Sequence, residues 1–434
     1  MTKTVVLDDD PTGTQSASDV TVLFDATEQE IAEVLATDDA VFLQTNTRSL
    51  EEPAAVALVS SLRSAAQAAA ESLGADVRFV LRGDSTLRGH VFAETDAFLD
   101  GDPSEVVVFC PAFPAGGRRT IEGVHYVTGQ DGTVRADETE FAADPVFPFD
   151  TADLVEYVAR KSALGHPHDA VSVTLDEVRD GRITQVLATA GPGTVVVPDI
   201  EEDDDVRAVA DAVRAAERAG RRVVIRSAAP LAAELAGVAS HGFVQGPVLE
   251  AAVPTLLAVG SHTALTTSQL DAVTDLDDVA EIDTERALDD PDTAGRAAAD
   301  LARPVLASTG FAVVASARSR RADHDTLDHG AKVMAALTTA VRALLPDVGL
   351  VIAKGGITSS EVARVGVGAR RARVLGQLVP GVSLWRTWDH GGRELLYVVL
   401  PGNIGDRSTI SDVLAIVRPS SSTPTPTPSA PTAA

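Results

Sequence analysis

The sequence predicts a two-domain α/β protein, each half a mainly parallel sheet flanked by helices, with a cleft between the halves. Three observations predict it. The chain of 434 residues is too long for one ordinary core. Short Val-rich runs alternate with Ala-rich helical stretches, the order expected of a sheet covered on both faces. The same alternation starts afresh near Val253.

In the first half, residues 5–7, 40–44, 77–81, 106–109, 194–198 and 223–226 read as strands, because β-branched and other apolar residues run without interruption. Residues 52–72 and 206–219 read as the intervening helices. Residues 111–148 are rich in Gly and Pro and lack a period, and they read as a long functional loop or excursion. In the second half, 256–259, 311–315, 349–353 and 395–400 read as strands, and 263–273, 330–344 and 408–417 as helices. The expected domains are 1–246 and 247–418, with the boundary between Gly242 and Pro254. Residues 419–434 are Ser, Thr, Pro and Ala only, a composition that buries no core and predicts a disordered tail.

Composition excludes several classes. A formal charge of −27 gives little counterion release on nucleic acid, so no nucleic-acid partner is expected. No apolar run approaches the roughly 18 residues of a membrane span. Met1 leads directly into a strand without signal-peptide anatomy. The single cysteine, Cys110, excludes an intrachain disulfide and a multi-cysteine metal site, and at the end of an apolar strand it reads as packed. The expected compartment is the cytoplasm. A homo-oligomeric state stays open.

Two motifs in the first half point to chemistry. Asp8-Asp9-Asp10-Pro11-Thr12-Gly13 follows the first strand. Carboxylates at the end of a parallel strand point into the crevice where such sheets bind ligands, and there they can orient a hydroxyl, accept its proton or hold Mg²⁺. The competing reading is a strand-end turn with capping acids. Arg82-Gly83-Asp84-Ser85-Thr86-Leu87-Arg88-Gly89 follows another strand. Its two guanidinium groups suit a carboxylate, and its acid and hydroxyls suit sugar hydroxyls. A helix cap with a surface ion pair would use the same residues. Arg48, after the second strand, and Arg118 or Arg119, in a Gly- and Pro-rich segment, are further candidate anion ligands or solvated surface arginines.

In the second half, three strands end in glycine-containing turns: Gly260-Ser261-His262-Thr263, Gly355-Gly356-Ile357-Thr358 beside Lys354, and Pro401-Gly402-Asn403-Ile404-Gly405. Each offers free N–H groups at a helix start, and together they favour a phosphate or nucleotide site. Neither GxxxxGK[ST] nor GxGxxG occurs, so the site is of a non-Walker kind. His166 and His168 read as solvated rather than metal-binding, and Arg321-Ala322-Asp323-His324-Asp325 as a solvated loop. Residues 201–205 read as the acidic start of a solvent-exposed helix.

The order of these motifs resembles the four-carbon acid sugar kinase family, which includes 3-oxo-tetronate, D-threonate and D-erythronate kinases. The resemblance lies in Asp9-Asp10-Pro11-Thr12-Gly13, in Asp-Ser-Thr-Leu-Arg-Gly at 84–89, in Pro111-Ala112-Phe113-Pro114 with Gly117-Arg118, in Gly355-Gly356-Ile357-Thr358 and in Pro401-Gly402-Asn403-Ile404-Gly405. It implies an N-terminal sugar-acid-binding domain, a C-terminal ATP-binding domain, and ATP-dependent phosphorylation of the terminal hydroxyl of a tetronate-like acid with Mg²⁺. In such a reaction a catalytic acid at Asp9, Asp10 or Asp84 would orient the attacking hydroxyl. Asp10, Arg48, Arg82, Asp84, Ser85, Thr86, Arg88 and Arg118 would hold the acid. Ser261, Gly355, Gly356, Ile357, Thr358, Gly402 and Asn403 would hold ATP. No metal ligands are assigned. The chain departs from many members at Asp8, where they have a small residue, and at Arg82, where they have Lys. The alternatives are a non-catalytic sugar-acid sensor of the same fold and, disfavoured by the missing fingerprint, an NAD-dependent dehydrogenase.

Overall fold

The computed structural model describes residues 2–129, 132–162, 167–240, 242–244, 248–249, 252–273, 279–318 and 327–418. The expected tail from Pro419, the segment 321–325, Gly165 and His166 lie outside the described residues, as does part of the expected boundary region. No described helix is long and apolar enough to cross a membrane.

The strands of the first half are β1 Thr2–Asp8, β2 Val20–Phe24, β3 Ala40–Gln44, β4 Asp76–Arg82, β5 Glu105–Cys110, β6 Arg118–Ile121, β7 Val124–Gly129, β8 Gly132–Arg135, β9 Ala170–Val173, β10 Val195–Pro198 and β11 Arg222–Ser227. Those of the second half are β12 Thr255–Val259, β13 Val279–Ile282, β14 Phe311–Ser316, β15 Leu350–Lys354, β16 Arg371–Val379, β17 Val382–Trp388 and β18 Glu394–Leu400. Fifteen of them form one sheet in the order β13-β14-β12-β15-β18-β17-β16-β2-β3-β1-β4-β11-β5-β10-β9. The two expected sheets are thus joined edge to edge, through antiparallel pairing of β2 with β16 that sets Leu23 against Arg371 and Val20 against Val374. From β2 to β9 every neighbour is parallel, as it is from β13 to β18. Only β16 and β17 run antiparallel to their neighbours.

The parallel strands are apolar throughout because helices cover both faces; β3 and β15 are buried at every residue. The helix Glu52–Ser72 buries Ala55, Val59, Leu62, Ala66 and Ala69 on one stripe, as the 3.6-residue period requires. One apolar layer contains Val6 and Val22 from the first half together with Trp385 and Tyr397 from the second, so the halves share a core. Trp385 seals the seam: its ring lies 6.1 Å from that of Phe24, and its Nε1 donates to Thr14 Oγ1 at 3.0 Å.

Residues 111–148 are more ordered than a loop. β6, β7 and β8 form a small antiparallel sheet. The β6–β7 connection is the two-residue turn Glu122-Gly123, both with positive φ (53° and 74°), a backbone shape that matches strand twist. Asp199 accepts from both turn N–H groups, at 2.9 and 2.8 Å. Cys110 is fully buried, as expected, and burial pushes its thiol up to about 12.

Strand order places the site. In the first half β1 lies between β3 and β4, with β2 and β3 on one side and β4 on the other; in the second β12 lies between β14 and β15, with β13 and β14 on one side and β15 on the other. Ligands of open α/β sheets bind beyond the strand carboxyl ends at such reversals. Those ends carry Asp8-Asp9-Asp10 and Arg82–Thr86 in one half, and the turns after Val259 and Lys354 in the other.

Candidate active site

Asp8, Asp9 and Asp10 are all buried, and so is Arg82. Register explains the pairing, since Asp8 and Arg82 are aligned partners on adjacent strands. Arg82 Nη1 donates to Asp8 Oδ1 at 3.0 Å, to Asp9 Oδ1 and Asp10 Oδ1 at 3.1 Å, and to the Asp10 carbonyl at 2.9 Å. Its Nη2 donates to Thr12 Oγ1 at 3.1 Å. Arg82 was expected to grip the acid. It is buried instead, its Nη1 among three carboxylates, and it does not line the cavity that Arg48 and Arg88 border.

Arg48 sits above this layer. Its Nε lies 3.2 Å from Asp9 Oδ2, its Nη2 pairs with Asp10 Oδ2, and its Nη1 is 3.6 Å from Asp84 Oδ2. Asp84 accepts from Arg88 Nε at 2.8 Å and from the Thr86 hydroxyl. Arg88 continues to Asp144 at 3.6 Å and lies over the Phe141 ring. Within this loop Leu87 holds a left-handed φ of 67°, a strained shape for a bulky residue that surrounding contacts must fix. Tyr157 supplies one, donating its hydroxyl hydrogen to the Leu87 carbonyl at 2.6 Å.

His125, not foreseen from the sequence, lies beneath the same loop. Burial brings it down to about 4, so it is neutral. Its Nε2 faces the Ser85 carbonyl at 2.9 Å and its Nδ1 the Thr120 hydroxyl at 3.1 Å. A carbonyl only accepts, which places the single ring proton on Nε2. Arg226 and Glu94, a buried ion pair, were missed as well. Arg226 fills the space beside Gly83, where an added Cβ would stand 2.7 Å from its Nη2.

The charges of the acids diverge. Burial pushes Asp8 up to about 7 against the pull of Arg82, and burial likewise raises Asp9 against Arg48 and Arg82. Burial works on Asp84 too, but Arg88, Arg48 and the Thr86 hydroxyl outweigh it and hold that carboxyl below the usual range. Asp84 is therefore a fixed anion. Native Asp8 keeps its proton to about pH 7, whereas an unfolded aspartate loses it near 3.8. The folded state then binds more protons between these values, so stability falls as pH rises through that window. We expect Asp8→Asn to flatten this decline. Urea midpoints at pH 5 and pH 7.5 check it, and an unchanged difference between the two would contradict it.

In the second half the three glycine turns pack on one another. Thr263 Oγ1 donates to Gly402 O at 2.8 Å, Thr266 Oγ1 to Ser261 Oγ at 2.9 Å, and Gly355 N to Leu400 O at 2.8 Å. Gly355 has a φ of 121°, which only glycine adopts without strain. Gly356 is required by proximity: a Cβ there would stand 2.6 Å from Asp10 Oδ2 and 3.2 Å from Arg48 Nη2. The acids of one half thus meet a glycine turn of the other. Asn46 Nδ2 also donates to Glu361 Oε1 at 2.9 Å, and Arg118 Nη2 to the Asn403 carbonyl at 3.3 Å. Arg118, expected at the substrate, bonds the opposite turn instead.

A cavity of about 790 Å³ opens between the halves, bounded by Arg48, Arg88 and Asp144 on one side and Gly260, Met334 and Thr358 on the other. Ile357 also lines it. Thr86 is fully buried and Ser85 nearly so; neither lines the cavity. Among the described residues no group of His, Cys, Asp and Glu is arranged to hold a metal ion. Arg82 and Arg48 pair with the aspartates. His168, expected to be solvated, pairs with Asp96 at 2.7 Å. Asp205 of the acidic 201–205 run is also buried, accepting from Arg179 Nε at 2.8 Å.

Residues 4–235 match the sugar-binding N-terminal domain family and residues 256–410 the nucleotide-binding C-terminal domain family. A D-threonate kinase of Salmonella typhimurium is 37% identical over 124 residues, 28% of this chain and 27% of the relative. A D-erythronate kinase of Heliobacterium modesticaldum is 31% identical over 242 residues, 54% of this chain and 50% of the relative. The aligned stretches therefore span half or less of these relatives' length. A solved Salmonella typhimurium structure is similar in fold, with a TM-score of 0.68 at 20% identity over 95% of this chain and 98% of the other. With both domain families matched in order, and kinases of four-carbon acids among its relatives, the chain belongs to the four-carbon acid sugar kinase family.

Proposed function

We propose that this protein transfers the terminal phosphate of ATP to the terminal hydroxyl of a four-carbon sugar acid, a tetronate or 3-oxo-tetronate. One observation carries the reading: Asp10 of the first half lies against Gly356 of the second, and their neighbours Arg48 and Ile357 line the cavity between the halves. The acid's carboxylate would meet Arg48 and Arg88, whose guanidinium groups border that cavity. Asp10 would orient the attacking hydroxyl and accept its proton, while Asp84, held ionised, fixes Arg48 and Arg88.

The turns fit a triphosphate. Gly356 and Gly402 carry no side chain over their backbone, and Ser261 and Thr358 add hydroxyls beside them. Mg²⁺ would arrive with the phosphates rather than in a cage of protein carboxylates. It supplies charge neutralisation of the transferring group when bound. The chain's own residues supply position and local positive potential, on which phosphoryl transfer chiefly depends. Local arginines also counter a net charge of −27 that would otherwise repel both anionic substrates.

The test is ADP release from ATP across a panel of four-carbon sugar acids, followed by NMR assignment of the phosphorylated oxygen. Turnover with phosphate on the terminal oxygen is expected. No turnover with any acid, together with no ATP binding by calorimetry, would overturn the proposal; tight acid binding without turnover would point to the sensor.

A further inference from the structure

We propose that Lys354 is a positioning residue of the nucleotide site, tying the three glycine turns together into one seat for a triphosphate. The inference rests on the nucleotide reading above.

Lys354 ends β15 and is fully buried. Strand alternation puts its side chain on the face of Leu350 and Ile352, which belong to the apolar cluster around Leu270, Ile410 and Val413. Val351 and Ala353 face the opposite layer. Lys354 does not line the cavity, whose wall includes Met334 from that opposite side. It therefore stands behind the turns and does not touch a ligand in front of them.

Its bonds reach all three turns. Its carbonyl accepts from Gly260 N and Ser261 N, both at 3.3 Å. It is followed directly by Gly355, whose N–H donates to Leu400 O at 2.8 Å. Its Nζ donates to the Pro401 carbonyl. A buried lysine is costly unless its charge is answered, and an apolar side chain would fill this space without that cost. Among the described residues no carboxylate answers it. Its charged neighbour is Arg318, which donates to Ser261 O at 2.6 Å and to Thr267 Oγ1 at 3.0 Å. Arg318 in turn feels Glu281 and Asp271. Asp406, on the third turn, accepts from Ser408 N and Oγ at 2.8 Å. His262, on the first, faces Ser316 Oγ at 3.5 Å. Lys354 and Arg318 thus lie beneath the turns without a carboxylate on Lys354, and the phosphates of a nucleotide are the counter-charge that completes the set.

A consequence separates this role from plain packing. Burial, with Arg318 adding to it, brings Lys354 down to about 7. Phosphates at the turns favour the charged ammonium, so nucleotide binding draws in a proton, and more so at pH 8 than at pH 7.

The experiment is calorimetric titration of the full chain with ATP at pH 7 and pH 8, in two buffers of different ionisation enthalpy, for wild type and Lys354→Met, with melting curves for both. The wild type should take up a fraction of a proton that grows with pH. Lys354→Met should melt no lower than the wild type, lose the proton uptake, and bind ATP about tenfold more weakly or worse, as loss of a nearby charge that answers the phosphates implies. Its KM for the sugar acid should stay unchanged. Wild type that binds ATP without pH-dependent proton uptake overturns the inference, as does Lys354→Met that binds ATP as wild type does. A wild type that binds no ATP overturns the nucleotide reading itself, and this inference with it.

Discussion

Asp10→Asn is expected to lower kcat by about 10³-fold, within the range general-base catalysis supplies, while ATP affinity stays within twofold. Asp10 is the acid that approaches the opposite half, facing the Gly356 position across 2.6 Å of space to a Cβ that glycine lacks. Asparagine keeps the shape and the oxygen that accepts from Thr12 N at 2.8 Å, so the Pro11–Ser16 turn is retained. It loses the negative charge and the ability to take a proton. Removing one carboxylate also leaves Arg82 with Asp8 and Asp9, which keep that guanidinium paired. The effect should therefore fall on turnover and not on folding. Steady-state kinetics with ATP and acid varied separately, beside calorimetric ATP binding, checks it. A kcat within tenfold of wild type would assign the proton transfer elsewhere, and a collapse of ATP affinity would contradict the division of labour between the halves.

Arg48→Met is expected to raise KM for the sugar acid by about 100-fold with little change in ATP affinity, since a charged hydrogen-bond partner is worth roughly 1.5–3 kcal/mol. Arg48 borders the cavity while bridging Asp9, Asp10 and Asp84. Its loss removes both a carboxylate receptor and one of the charges that offset the burial of Asp9. With Arg48 gone, Asp9 should hold its proton to still higher pH, and the acid limb of the activity profile should move up with it. Arg48→Lys restores the charge without the planar fork, so its KM should fall between the other two. Equal KM for the acid in wild type and Arg48→Met would place the substrate carboxylate on Arg88 alone.

What the sequence makes legible follows from burial. Strands covered on both faces, such as β3 and β15, are continuous apolar runs and can be read directly. The helix Glu52–Ser72 is bounded by Pro53 at its start and carries a clear apolar stripe, and its limits are read to the residue. β16 is different. It alternates exposed and buried residues, and Arg371 and Arg373 interrupt any apolar run, which is how a half-covered antiparallel strand looks. Missing β16 and its partner β2 hides the seam that turns two sheets into one. The hairpins from β6 to β8 are hidden for a related reason, since small exposed strands carry mostly polar residues.

In the site, motif order identifies the right loops, but not which way each side chain turns. Arg82 bonds residues 70 to 74 positions away, and no local spacing reveals that its guanidinium faces inward. Arg118 is spaced 285 residues from Asn403. His125, Arg226 and Lys354 are single polar residues in or beside buried strands, and a lone polar residue gives no signal until its partner is known.

The most direct measurement is a crystal structure of the protein with a non-hydrolysable ATP analogue and a four-carbon sugar acid bound together. The terminal phosphate should lie between the Gly355-Gly356 turn and the acid's terminal hydroxyl, with that hydroxyl within hydrogen-bond reach of Asp10 and the acid's carboxylate on Arg48 or Arg88. A nucleotide bound away from the glycine turns, or an acid bound away from the aspartates, would contradict a kinase site shared between the two halves.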